Sequence, residues 1–174
     1  MKYVIMLGLV TLLLIHCDDS STEPEAVGQL FINEFLASND SSSSDEFGDF
    51  DDWVELYNET NATIDIGGMY ISDDPLDPNP WQIPLSLSQL TSIPAGGFLV
   101  LWCDEEPEQG PLHVDIKLSA NGESIVLWEA DKTTVVDSLS FRAQISDISW
   151  GRSVDGGDYW QSFSDPTPGT TNTP

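Results

Sequence analysis

Positive charge is nearly absent from this chain of 174 residues. Five Lys and Arg stand against 30 Asp and Glu, a formal charge of −25. Nucleic-acid binding needs a cationic footprint that displaces counterions from phosphates, and this composition offers none. A surface of this sign repels DNA, RNA and anionic headgroups, attracts cations and favours solubility. The acidity is not that of a disordered chain, because 40% of the residues are hydrophobic and six are Trp.

Cysteine and histidine are also scarce, at two each: Cys17 and Cys103, His16 and His113. The His/Cys clusters from which zinc sites are built are missing from the sequence. So are a Gly-rich phosphate loop and a dinucleotide fingerprint. Long apolar runs are limited to one, the 12 residues from Val4 to Ile15. That is short of the roughly 20 residues a resident membrane helix takes.

What is there begins with that run. Lys2, the apolar stretch and then Cys17, followed by an acidic, Pro-containing segment, have the layout of a secretory signal. Leu14-Ile15-His16-Cys17 resembles the bacterial lipoprotein lipobox, with His16 where that pattern has Gly, Ala or Ser. The resemblance implies a signal peptide over residues 1–16 and lipidation of Cys17. Ordinary secretion with cleavage nearby is the alternative. Asp18 and Asp19 resemble the acidic export signals of surface lipoproteins, which implies an outer-membrane, surface-exposed location. Once Lys2 leaves, the basic residues are Lys117, Lys132, Arg142 and Arg152. With Cys17 lipidated, Cys103 has no partner for an intrachain disulfide, so the fold relies on its core alone.

Residues 17–28 read as an acidic flexible tether and residues 29–174 as one domain. From Leu30 onward short β-prone runs alternate with turn signals, notably Gly67-Gly68, Pro94 to Gly97, Asn121-Gly122 and Asp155 to Gly157. Asn121-Gly122 is the strongest tight-hairpin signal. In Trp53 to Tyr57, alternation puts Val54 and Leu56 on one face and Trp53, Glu55 and Tyr57 on the other. Asn39 to Asp52 reads as a Ser- and Asp-rich loop too polar to pack. Nowhere do apolar residues keep a helical period over three turns. Eight to ten short strands and no long helix beyond the signal segment predict an all-β sandwich.

Eight blocks in order then carry a family likeness. They are Ile32–Asn39 (INEFLASN), Asp52–Asn58 (DWVELYN), Gly68–Asp74 (GMYISDD), Trp81–Pro84 (WQIP), Ile93–Leu99 (IPAGGFL), Lys117–Glu123 (KLSANGE), Ser149–Arg152 (SWGR) and Pro166–Asn172 (PTPGTTN). The set resembles the lamin-tail domain family. The resemblance implies an immunoglobulin-like β-sandwich and a binding or structural module without catalytic residues. Bacterial members are often joined to nucleases, phosphatases or kinase-like domains. Here the sequence ends two residues after the closing block, so no enzyme activity is expected. Lamin tails are credited with DNA and protein contacts, but the charge gives no ground for carrying over the DNA part.

Among chemistry-bearing residues, Cys103 and His113 would have to supply any nucleophile–base pair. The carboxylates of Asp104, Glu105 and Glu106 disfavour a thiolate there. With 30 acids, a pair at glycosidase spacing carries no information. Calcium is the sharper idea: Asp40, Asp45, Glu46, Asp49, Asp51 and Asp52 crowd a Gly-containing loop, though not at EF-hand spacing. The other reading of that loop is a solvated, self-repelling one. Asp73, Asp74 and Asp77 form a second cluster. Trp53, Trp81, Trp150 and Trp160 sit in or beside the family blocks and are expected to pack the sandwich, leaving Trp102 and Trp128 as sugar-platform candidates. The expectation is a lipid-anchored cell-envelope binding or structural module, with no cofactor beyond the calcium considered. Its partners would be the membrane, through the lipid, and an envelope or extracellular protein or glycan. An accessory module for polysaccharide hydrolysis and a calcium-dependent adhesion module are the alternatives.

Overall fold

The computed structural model describes residues 30–77 and 79–173. The signal segment, Cys17 and the tether lie outside the described residues. Runs rich in Ile, Val, Leu and aromatics, broken by Gly, Pro and Asp, form twelve strands among the described residues. These are β1 (Leu30–Leu36), β2 (Asp52–Asn58), β3 (Ile64–Asp65), β4 (Tyr70–Ser72), β5 (Trp81–Gln82) and β6 (Ser92–Ile93). They continue with β7 (Phe98–Cys103), β8 (His113–Val114), β9 (Ser124–Trp128), β10 (Val135–Ser140), β11 (Ser149–Arg152) and β12 (Trp160–Phe163). The only helix described, α1 (Ser88–Thr91), is a single turn. The count exceeds the expected eight to ten because β3, β5, β6 and β8 are two-residue pairings too short to leave a periodic signal. No described helix is long and apolar enough to cross a membrane.

A six-stranded sheet runs β12-β11-β1-β2-β7-β8, a four-stranded sheet runs β10-β9-β4-β5, and β3 pairs with β6. All neighbours are antiparallel except β7 and β8. Between the sheets lies one core. Ile32, Phe35, Val54, Leu56, Leu101, Cys103 and Val114 come from the larger sheet, and Ile71, Ile125 and Leu127 from the smaller. Ile66, Ile83 and Ile93 belong to the same core. This is an immunoglobulin-like β-sandwich, as the strand pattern and the family likeness both predict.

Two irregularities shape the functional end. In β1 the register slips between Ile32, opposite Leu56, and Glu34, opposite Glu55. The bulge at Asn33 breaks the alternation, so Ile32 and Phe35 both reach the core. The second is the Asn121-Gly122 turn, which forms (Gly122 N–H donates to the Ser119 carbonyl at 3.0 Å) without closing a hairpin. It instead carries the chain from the β8 side of the large sheet to β9 in the small one. Tight-turn chemistry fixes the reversal but not which strands it joins.

Arg152 ties the sheets together. Its Nη2 donates to Asp137 of β10 at 2.9 Å and its Nε to the Ile32 carbonyl of β1 at 2.8 Å. Asp137 also accepts the Ile32 amide at 2.8 Å. The guanidinium lies 5.0 Å from the rings of both Phe31 and Trp160.

Candidate functional site

Trp53 and Glu55 share the outer face of the large sheet, opposite Val54 and Leu56. Both are fully buried. Two polar segments, one at either end of the face, make contact with it.

The first is the C-terminal stretch. Glu34 and Glu55 face each other across β1 and β2, both buried. Glu34 accepts from the Thr167 hydroxyl at 2.8 Å and from Ser149. Glu55 accepts the Gly169 amide at 2.6 Å and the Asn33 side-chain amide at 2.9 Å. Asn172 donates to the carbonyls of Asn33 and Arg152 at 3.3 and 2.7 Å. The blocks around Asn33-Glu34, Glu55 and Thr167 to Asn172 are thus one hydrogen-bonded network that seals the sheet. Burial pushes the Glu55 carboxyl up to about 8, against the Asn33 and Gly169 hydrogen bonds that pull it down.

The second segment is the acidic loop between β1 and β2. Most of it is exposed, as its polarity predicts, yet it is ordered, because side-chain-to-backbone bonds replace a sheet ladder. Asn39, buried, donates to the carbonyls of Ser43 and Asp51 at 2.6 and 2.8 Å and accepts the Ser42 amide at 3.1 Å. Asp147 accepts the amides of Asp40 and Ser41 at 2.8 and 2.9 Å. Asp45 Oδ1 collects three amides, from Phe47, Gly48 and Asp49, at 2.9, 2.8 and 2.8 Å.

This order sends the six carboxylates considered for calcium to different places. Asp40 accepts from Ser146 at 2.6 Å, and Asp52 accepts the Asn39 amide at 3.1 Å. Burial pushes Asp52 up to about 6. Asp51 is also raised, first by burial and then by the charges of Asp104, Asp45 and Asp49. Of the six, Asp45 and Glu46 converge, and they do so on His113. The ligand-bearing oxygen of each carboxylate and an imidazole nitrogen lie within 4.8 Å of one another.

His113 sits on β8, where it is opposite Trp102, while Cys103 is opposite Val114. Register therefore puts Cys103 and His113 on opposite faces of the sheet. Cys103 points into the core, and burial, with Asp52 and Asp104 behind it, holds its thiol well above the usual range. The two residues do not form a nucleophile–base pair. Instead His113 Nδ1 meets Asp104 Oδ2 at 2.5 Å, and Nε2 stands 3.4 Å from Glu46 Oε1. Burial lowers the imidazole pKa, but Asp104 and Glu46 together raise it further than burial lowers it. Phe47 packs edge-on against the ring at 5.8 Å. Sequence reasoning missed this grouping because His113 is far from the loop in the chain. The one available signal was that the sole histidine of the domain lies in a chain otherwise supplying only carboxylates.

The second acidic cluster closes on itself. Asp74 accepts the Leu76 amide and Asp77 the Asn79 amide, each at 2.8 Å, and the Ser72 hydroxyl donates to Asp77 at 2.9 Å. Among the tryptophans, Trp81, Trp150 and Trp160 pack against the main core. Trp128 is buried with Tyr70 and Val126, and Trp102 is half-buried. Burial leaves Trp128 no free ring face of the kind a sugar platform needs.

The sandwich with its sealed outer face is the immunoglobulin-like frame of a structural or binding module. The sequence pattern of the Lamin Tail Domain matches residues 23–143, and the chain belongs to that family, whose domains are non-catalytic. β11, β12 and the Thr167 to Asn172 stretch lie beyond the matched span yet complete the same sheet and network. No curated protein and no solved structure matches the chain.

Proposed function

We propose that the chain is an exported envelope protein, anchored in the outer membrane through lipid on Cys17, whose lamin-tail sandwich is a non-enzymatic binding or structural module. The observation that carries this reading is the order of features at the N-terminus. Lys2, the apolar run Val4 to Ile15 and Cys17 come first, then a polar acidic spacer, and the first strand begins at Leu30. That order holds a folded domain a short, flexible distance from a bilayer. The strongly negative chain favours a protein or glycan partner over nucleic acid. The separation of Cys103 from His113 removes the pair of residues best suited to covalent catalysis.

Metabolic labelling of expressing cells with a clickable fatty acid tests the anchor. The wild-type chain should take up label and fractionate with outer membrane, and Cys17→Ala should lose both. Equal labelling of the two, or no labelling of the wild type, would overturn it. Cross-linking on intact cells, followed by identification of the captured envelope component, tests the binding role. A purified chain that turns over polysaccharide would refute it.

A further inference from the structure

Two buried polar atoms at the head of the acidic loop make no hydrogen bond among the described residues, although Glu46 stands 3.4 Å from one of them. His113 Nε2 and Asp45 Oδ2 are both buried with no hydrogen-bond partner. Their residues are only 1% and 8% exposed. Leaving such groups unpaired in the interior costs about 1–3 kcal/mol each, so a native fold keeps them for a reason.

Their surroundings fix what they can accept. Asp45 Oδ1 is fully used by three backbone amides, which locks the carboxylate and leaves Oδ2 as a free acceptor. Asp104 takes the Nδ1 proton of His113, so the Nε2 lone pair faces the same point. Glu46 Oε1 lies 3.4 Å from that nitrogen, on a side chain 62% exposed and free to adjust. With the imidazole neutral, every ligand atom there offers a lone pair, and a metal cation can take the place of the proton that Asp104 and Glu46 otherwise favour on the ring.

We propose that Asp45, Glu46 and His113 form a binding site for a zinc-type divalent cation, with Asp104 as the positioning residue for the imidazole. Metal bonds of 2.0–2.1 Å in a tetrahedron place ligand atoms about 3.3 Å apart, which the Nε2–Oε1 separation already meets. A water fills the fourth position. An imidazole donor and three protein ligands suit zinc, whereas calcium takes six to eight oxygens. Bound metal would pin the β1–β2 loop to the edge strand β8 and offset the repulsion among Asp45, Glu46, Asp51 and Asp104.

The test is zinc titration of the full chain, stripped with chelator and carrying no affinity tag, by calorimetry and by melting temperature. Zinc at about 100-fold over its Kd should raise Tm by roughly 5–10 °C. Glu46→Gln should weaken binding about tenfold or more. Asp45→Asn and His113→Gln should abolish this site, and Asp104→Asn should weaken it about 10–100-fold. Cobalt should give the intense visible absorption of a tetrahedral site, lost in His113→Gln. Should His113→Gln not fold, Glu46→Gln carries the test, because its side chain is exposed. The variants also separate this site from any zinc held by His16 and Cys17. Absence of zinc binding, wild-type affinity in both Glu46→Gln and His113→Gln, or stabilisation by calcium but not zinc would each overturn the proposal.

Discussion

Raising the pH should destabilise this protein well inside the neutral range, through Glu55. The folded chain holds a proton on that carboxyl up to about pH 8, while an unfolded chain releases it near 4.5. The folded state therefore binds more protons between those values, and stability falls as pH rises. The contribution is fully present below about pH 4.5 and is lost as pH passes through about 8. Between about pH 6.5 and pH 8.5 linkage gives a loss on the order of 2 kcal/mol, or roughly 4–8 °C in Tm for a domain of this size. Asp52 shifts in the same direction, but its window lies between about 3.8 and 6. Asp65, Asp131 and Asp147 are lowered and act only below 3.8. The assay is urea unfolding of wild type and Glu55→Gln across the range. An amide cannot ionise, so the variant should lose the Glu55 share of the slope, keep the share that His113, also raised, contributes above about pH 6.5, and match or exceed wild type at the alkaline end. A wild-type stability that stays level or rises, or an identical slope in Glu55→Gln, would refute the burial argument.

Other perturbations have direct outcomes. Arg152→Met removes the donor shared by Asp137 and Ile32 and should cost about 3 kcal/mol in urea unfolding, with Arg152→Lys recovering only part. Gly122→Ala places a Cβ 2.6 Å from the Phe141 carbonyl oxygen at a φ of +102°, and should lower stability by at least about 2 kcal/mol. Cys103, buried in the core, should resist thiol reagents in the folded protein and react fully once denaturant unfolds it.

The strands were legible because one half of the sandwich obeys local periodicity. Val54 and Leu56 alternate inward, as Leu99 and Leu101 do on β7, and a period of two needs no knowledge of the partner strand. The ordered blocks then supplied the immunoglobulin-like type of sandwich, which periodicity cannot. What stayed hidden was the fate of the polar face. Glu34 and Glu55 look like solvent positions until Thr167 and Gly169, more than a hundred residues later, lie down on them. A Ser- and Asp-rich loop likewise reads as shapeless unless Asn39 is seen to bind the carbonyls of Ser43 and Asp51. In both cases the apolar pattern is silent, because hydrogen bonds rather than hydrophobic area hold the cover in place.

The same reasoning explains why counting acids says little about which of them can share a cation. Six carboxylates in thirteen residues look like a hard-cation cage, yet Asp40 and Asp52 satisfy a hydroxyl and a backbone amide instead of converging. Asp45 does both, one oxygen holding the loop and the other left over. The leftover oxygen acquires meaning only through His113, which reaches it because β8 runs parallel to β7 and turns the imidazole away from the core. A ligand set drawn from a loop and a distant edge strand has no spacing signature. It is recognised by two buried atoms without a hydrogen bond, on residues whose ligand atoms lie within 4.8 Å of one another.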